Sequence, residues 1–183
     1  MMKHKFKILN ALPLVVFFFI VLSSSVVLYQ LKINDRSERS IASQLIGKNI
    51  PKILIPRENY IKRNTNSGNI DFKKYHNQIF VVNFFASWCA PCKIEAPIID
   101  ELSKILPVIG IAYKDKFLDT KIFLNDFGNP YNEIGIDRSG KIAIEWGVYG
   151  VPETFLINKK GEIIYRHAGP ILYSDFKDEF LPI

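Results

Sequence analysis

Two cysteines are the only ones in the 183-residue chain, and they stand three residues apart in Trp88-Cys89-Ala90-Pro91-Cys92. A close dithiol can exchange with a disulfide. One thiolate attacks a sulfur of the target, and the second cysteine attacks the resulting mixed disulfide and releases the product. Zinc is an alternative for paired cysteines, but a structural zinc site takes four ligands, commonly Cys and His. This chain has no second cysteine pair, and its histidines are His4, His76 and His167. An inert structural disulfide is the other alternative. A loop this short removes little chain entropy, so it would stabilise little. Exchange is therefore the leading reading, with Cys89 as nucleophile and Cys92 as resolving residue.

Exchange needs a thiolate, and the flanking sequence supplies a way to make one. Ile79–Phe85 (IFVVNFF) is an uninterrupted apolar run of strand length, as expected of a strand buried on both faces. The pair follows it where a helix is expected to begin at Cys89, with Pro97 expected to kink that helix. Unpaired N–H groups at a helix N-terminus stabilise a thiolate. Cys92 then lies one turn further along the same face. Beyond this, Val108–Tyr113 reads as a second buried strand, Thr120–Phe127 as a helix and Thr154–Asn158 as a strand. The turn residues Asn158-Lys159-Lys160-Gly161 lead into a strand over Glu162–His167. Leu172–Phe180 reads as a closing amphipathic helix, and Arg63–Asn69 as a surface loop. The order predicts an α/β unit, a mixed sheet flanked by helices on both faces.

Several other residues are candidates. Pro152 precedes the Thr154–Asn158 strand. Alone it reads as an ordinary loop proline, since few X–Pro bonds are cis. Asn83 lies on the buried strand six residues before Cys89, which excludes a carboxylate at that position. Glu95 lies three after Cys92, and Glu153 follows Pro152. Each is either a solvated surface acid or a carboxylate close enough to exchange protons with the pair. Trp88 is either a core residue or an exposed flank that covers the sulfurs and touches substrate. His167 reads as a satisfied strand residue.

The N-terminus has a different character. No charge occurs between Lys7 and Lys32, and Ile8–Leu31 is long enough to cross a bilayer as a helix. A cleaved signal peptide, with Ser23-Ser24-Ser25 marking the cut, is the rival. The apolar run continues through Val26–Tyr29, and that length favours an uncleaved anchor. The expected organisation is a cytoplasmic tail over 1–7, a transmembrane anchor over 8–31, a polar linker over 32–40 and a globular domain over 41–183. The formal charge of +6 comes mainly from the first 40 residues, and residues 41–183 carry 18 basic and 16 acidic groups. No domain-wide basic patch follows, so nucleic acid is not an expected partner.

The runs VVNFFASWCAPCKIEAP, GVYGVPETFLIN and YRHAGP, with Leu45-Ile46-Gly47-Lys48 and Tyr113-Lys114-Asp115, resemble the thioredoxin-like reductases of bacterial cytochrome c maturation, the DsbE/CcmG type. The likeness covers roughly residues 41–183. It implies a thioredoxin-like fold and a domain in the periplasm, held by a single-pass anchor in the bacterial inner membrane. It implies a protein-disulfide reductase acting on apocytochrome c or the haem-ligation machinery, re-reduced by a membrane thiol reductase. No cofactor beyond the Cys89–Cys92 disulfide is implied. Pro152 would be a cis proline facing Cys89. The Val151 backbone would pair with an extended substrate strand, with Trp88 alongside. Glu95 and Glu153 would lie near the pair and influence its acidity. Asn83 matches this branch, whereas cytoplasmic thioredoxins carry an acid there.

Overall fold

A computed structural model describes residues 3–38, 44–58 and 68–180. Most of the loop read at Arg63–Asn69 lies outside the described residues. The chain forms two compact units, Met1–Arg39 and Ser40–Ile183.

The first unit is one helix, α1, over Lys3–Glu38. Its apolar stretch Leu12–Gln30, 19 residues, is long and apolar enough to cross a membrane. At 1.5 Å per residue it spans about 28 Å, close to a hydrocarbon core. Ser23 and Ser25 donate their hydroxyls to the carbonyls of Ile20 and Val21, at 2.9 and 2.8 Å. These two donors are thereby satisfied inside the helix, as an apolar medium requires. The helix also runs on through 32–38, most of the stretch read as a linker.

The second unit is built on a six-stranded sheet in the order β1-β4-β3-β2-β5-β6. The strands are β1 (Arg57–Glu58), β2 (Phe80–Phe85), β3 (Val108–Tyr113), β4 (Glu133–Asp137), β5 (Glu153–Ile157) and β6 (Ile163–Ala168). β2, β3 and β4 are parallel, whereas β1, β5 and β6 run antiparallel to their neighbours. All six residues of β2 are buried, as its unbroken apolar run requires. Because side chains alternate along a strand, Phe80, Val82 and Phe84 pack on one face with Trp146, Phe155 and Ile142. Val81 and Phe85 serve the other face. There they meet α2 (Ala90–Ser103), α3 (Phe117–Phe127) and the C-terminal helical turns through Ile99, Phe123 and Phe176. Asn83 has the parity of Val81 and Phe85, so the strand's one amide points toward α2.

Four elements escape the sequence reading, among them a single turn of 3-10 helix over Phe72–Tyr75. β4 is only EIGID, acidic at both ends with a central glycine, and its pairing partners are remote. A Cβ at Gly135 would collide with Ile55 and Ile70, so the glycine admits the segment that carries the sheet edge. Helix α4 (Lys141–Glu145) is too short to show periodicity. It is started by Asp137, whose carboxylate accepts the N–H groups of Gly140 and Ala143, both at 2.8 Å. β1 has only two residues. The closing helix is also irregular: α5 covers Tyr173–Asp175 and passes into a π turn over Phe176–Phe180, which buries Phe176 and Phe180.

Candidate active site

Cys89 and Cys92 are joined as a disulfide at the point where β2 hands over to α2. Cys89 is the N-cap of α2, and its Sγ accepts the Cys92 N–H at 3.1 Å. An orphan N–H of the first turn is thus aimed at Cys89 Sγ, where it would favour a thiolate in the reduced pair. Pro91 occupies the first turn, where its missing N–H costs nothing. Among the described residues, no group of three or more His, Cys, Asp or Glu is placed to hold a metal.

The turn before the pair is pinned from the end of β3. Asp115 accepts the Ser87 N–H at 2.7 Å, the Ser87 hydroxyl at 2.8 Å and the Lys116 N–H at 2.9 Å. Trp88 is 59% exposed. Its ring lies 6.4 Å from that of Tyr113, and Nε1 donates to the Lys114 carbonyl at 3.4 Å. It is a flank of the pair and not a core residue; Trp146 fills the core role.

The Val151–Pro152 bond is cis. Val151 O lies 3.4 Å from Cys89 Sγ, so the sequence-distant proline loop faces Cys89 across the start of β5. Glu153 holds this loop. It is buried, and Oε1 accepts the N–H groups of Tyr149 and Gly150 at 2.7 and 3.2 Å. Oε2 accepts from Arg166 Nε at 2.8 Å, within an ion pair of two buried side chains. Arg166 also donates to the Gly147 carbonyl at 2.7 Å and lies over the Tyr149 ring at 4.7 Å. With both carboxylate oxygens engaged in this way, Glu153 is a clamp for residues 147–152. Its alternative as a solvated surface acid does not hold.

Glu95 is likewise buried, at 1% exposure, and the surface reading fails for it too. Oε1 accepts from Asn83 Nδ2 at 3.0 Å, and Oε2 accepts the Ile171 N–H at 3.2 Å. Asn83 Nδ2 also donates to Thr154 Oγ1 at 3.0 Å. Desolvation pushes the Glu95 carboxyl up to about 7, against the opposing pull of its bonds from Asn83 and Ile171. A carboxyl in that range can take or return a proton at neutral pH. His167 is buried in β6, opposite Thr154, with Nδ1 3.4 Å from the Tyr165 hydroxyl and Nε2 3.4 Å from the Pro170 carbonyl.

Cys89, Cys92, Trp88, Val151 and Pro152 therefore meet at one edge of the unit. Glu95 stands about one helical turn beyond Cys92 on α2, and Glu153 holds the proline loop through the Tyr149 and Gly150 amides. Sequence reasoning did not single out Asp115, Arg166 or Thr154 as site residues. An arginine inside the strand pattern EIIYRH was the available signal for Arg166, since a buried charge demands a partner.

A family model described as Redoxin matches residues 46–178. The thiol:disulfide interchange protein DsbE of Haemophilus influenzae is 34% identical over 168 residues, 87% of this chain and 85% of its own length. The DsbE homolog of Paracoccus denitrificans is 46% identical over 102 residues, 56% of this chain, and the thiol:disulfide interchange protein CycY of Rhizobium leguminosarum is 45% identical over 107 residues, 57% of this chain. The chain spans only 57% and 58% of the lengths of these two relatives. Among solved structures, a DsbE-type thiol:disulfide interchange protein from Chlorobium tepidum superposes with a TM-score of 0.57 at 23% identity, covering 73% of this chain and 90% of its own. A DsbF homologue from Corynebacterium diphtheriae gives 0.61 at 20% identity, covering 74% and 87%. At these identities the structural likeness is one of fold, the thioredoxin-like mixed sheet.

Proposed function

The chain belongs to the Redoxin family, among its DsbE-type thiol:disulfide interchange proteins, and from that premise we propose that it is a membrane-anchored periplasmic reductase of apocytochrome c disulfides. Its activity as a thiol:disulfide oxidoreductase rests on the Cys89–Cys92 pair. The observation that carries the reading is the approach of the proline loop to the pair, with Val151 O 3.4 Å from Cys89 Sγ. A substrate strand laid along this loop brings its own sulfur to Cys89 by backbone pairing. Trp88 flanks the same approach.

In the forward cycle the reduced Cys89 thiolate attacks one substrate sulfur. The substrate disulfide breaks, and its other sulfur leaves as a thiolate that takes a proton from solvent. Cys92 then attacks Cys89 Sγ, and the bond from Cys89 to substrate breaks. The second substrate thiolate leaves, and the Cys92 proton passes to Glu95. The substrate gains two electrons and the pair loses them. The resulting Cys89–Cys92 disulfide is the state described above, and a membrane thiol reductase restores the dithiol. The clamp of Glu153 and Arg166 keeps the proline loop in place throughout.

The likeness of GVYGVPET and YRHAGP to reductases of cytochrome c maturation supports the substrate. The apolar helix supports attachment to the inner membrane, with the tail of residues 1–7 in the cytoplasm and the thiol-exchange unit in the periplasm. Cys92→Ser tests the whole reading. Serine cannot resolve the mixed disulfide, so a non-reducing gel will show adducts that collapse on reduction. Mass spectrometry will find apocytochrome c, a haem-ligation protein or a membrane reductase in them. Adducts mainly with unrelated secreted proteins would point instead to a general reductase or oxidase. No adduct from a folded protein would point to a non-enzymatic holdase.

A further inference from the structure

Behind the pair, one side chain has no role in the cycle above and yet completes its polar network. Tyr131 lies between α3 and β4, far in sequence from the cysteines. Its hydroxyl donates to Asn83 Oδ1 at 2.8 Å. The ring stacks on Phe85, with centroids 4.7 Å apart and planes 18° from parallel. The backbone is shaped to admit it. Gly110 of β3 sits beside Asn83 in the sheet register, and a Cβ there would come within 2.8 Å of the Tyr131 ring and 2.9 Å of Phe85. A strand interior disfavours glycine unless another group must approach closely. Here the group is Tyr131, crossing β3 to reach the one buried amide on β2.

We propose that Tyr131 is a positioning residue for thiol exchange: by donating to Asn83 it aims the Asn83 amide at Glu95 and keeps that carboxyl able to take the Cys92 proton. The inference rests on exchange at Cys89 and Cys92, not on the identity of the substrate.

The direction of each hydrogen bond follows from donor chemistry. Burial, and then the Glu95 charge, hold the Tyr131 phenol well above its ordinary value, so it stays protonated and donates. The amide must then present its oxygen to Tyr131 and its NH2 to Glu95 and Thr154. Glu95 and Cys92 are three apart on α2, about 5–6 Å between Cβ atoms. The other titratable groups on this side are His167, which pairs with Thr154 across β5 and β6, with Tyr165 and Asp175 beside it. Remove the Tyr131 hydroxyl, and Asn83 Oδ1 loses its donor. The amide is then free to turn its oxygen toward Glu95. An ionised carboxylate repels that oxygen, whereas a protonated one donates to it. The carboxyl is thus biased toward its protonated form, which cannot accept the Cys92 proton.

The test uses the detergent-solubilised full chain, reduced, with dithiobis-nitrobenzoate as oxidant. The Cys89 thiolate breaks the reagent's disulfide, forms a mixed disulfide and releases one coloured thiolate. Cys92 then forms the bond to Cys89, gives its proton to Glu95 and releases the second. The protein pair is oxidised and the reagent reduced. In Tyr131→Phe, the pH midpoint of the second release should rise by about one unit, slowing it about fivefold at pH 7, with the first release unchanged. Gly110→Ala, which displaces the ring but keeps the hydroxyl, should shift the midpoint in the same direction. In a Glu95→Gln background, Tyr131→Phe should add nothing. A lowered melting temperature with an unmoved second-release profile would reduce Tyr131 to a packing residue and overturn the proposal. So would an equal shift in the Glu95→Gln background. The reagent carries no cytochrome sequence, so either result leaves the substrate reading untouched. Failure of both releases in the wild type would strike the exchange chemistry itself.

Discussion

Replacing Glu95 by glutamine should make the protein more stable at alkaline pH. In the folded state this carboxyl holds its proton up to about 7, against an ordinary value of 4.5. Below pH 4.5 it is protonated whether the chain is folded or not, and it adds no pH dependence. As pH rises from 4.5 to 7, the unfolded chain loses the proton while the folded chain keeps it, so stability falls. Above 7 both forms are ionised and the loss is complete. At about 1.36 kcal/mol for each pH unit between the two values, the folded state gives up about 3 kcal/mol. A glutamine side chain never ionises and avoids this loss. Urea unfolding of the oxidised proteins measures it, with the fluorescence of the fully buried Trp146 as reporter. The stability of Glu95→Gln relative to wild type should be about 3 kcal/mol more favourable at about pH 8.5 than at about pH 4. For a slope of roughly 2 kcal/mol per molar urea, that difference moves the midpoint by about 1.5 M. Any fixed packing cost of the amide cancels between the two pH values, as do groups common to both proteins. A difference that does not change with pH would show that the buried carboxyl has no displaced titration and would remove the basis for its role as proton acceptor.

Arg166→Met should destabilise the fold by roughly 3–5 kcal/mol, because it strands the Glu153 charge in the interior. Thermal melting will show a drop of about 10 °C or more, and adding Glu153→Gln should recover much of it. Asp115→Ala removes the acceptor of the Ser87 N–H, the Ser87 hydroxyl and the Lys116 N–H. It should cost roughly 2–4 kcal/mol by denaturant titration and slow exchange at Cys89 by loosening the turn that carries Trp88. On cell fractionation, the full chain should sediment with membranes and resist extraction by high salt, its thiol-exchange unit open to protease from the periplasmic side. A soluble form beginning near Val26 would show instead that the apolar segment is a cleaved signal.

What the sequence by itself determined is whatever depends on neighbours along the chain. The Cys89–Cys92 spacing, the unbroken apolar run of β2 and the helix start after it are local patterns, and each appears in the structure at nearly its expected bounds. The 24 uncharged residues of Ile8–Leu31 announce an apolar helix by composition alone. Residues that act across the fold were legible only in part. Glu95 and Glu153 were visible as acids near the motif, but whether either was solvated depends on what packs over it. The sheet places Asn83 and Ile171 on Glu95, and Arg166 and the Tyr149 amide on Glu153. The cis bond at Pro152 was an expectation from resemblance, since a proline alone does not choose its isomer. β4 was hidden because a five-residue strand with a central glycine carries little periodicity, and it is a strand because β3 and β1 pair with it. Tyr131 left no local trace. Its place depends on parallel pairing of β2 with β3, which sets Gly110 beside Asn83 and leaves room for the Tyr131 ring where a Cβ would stand.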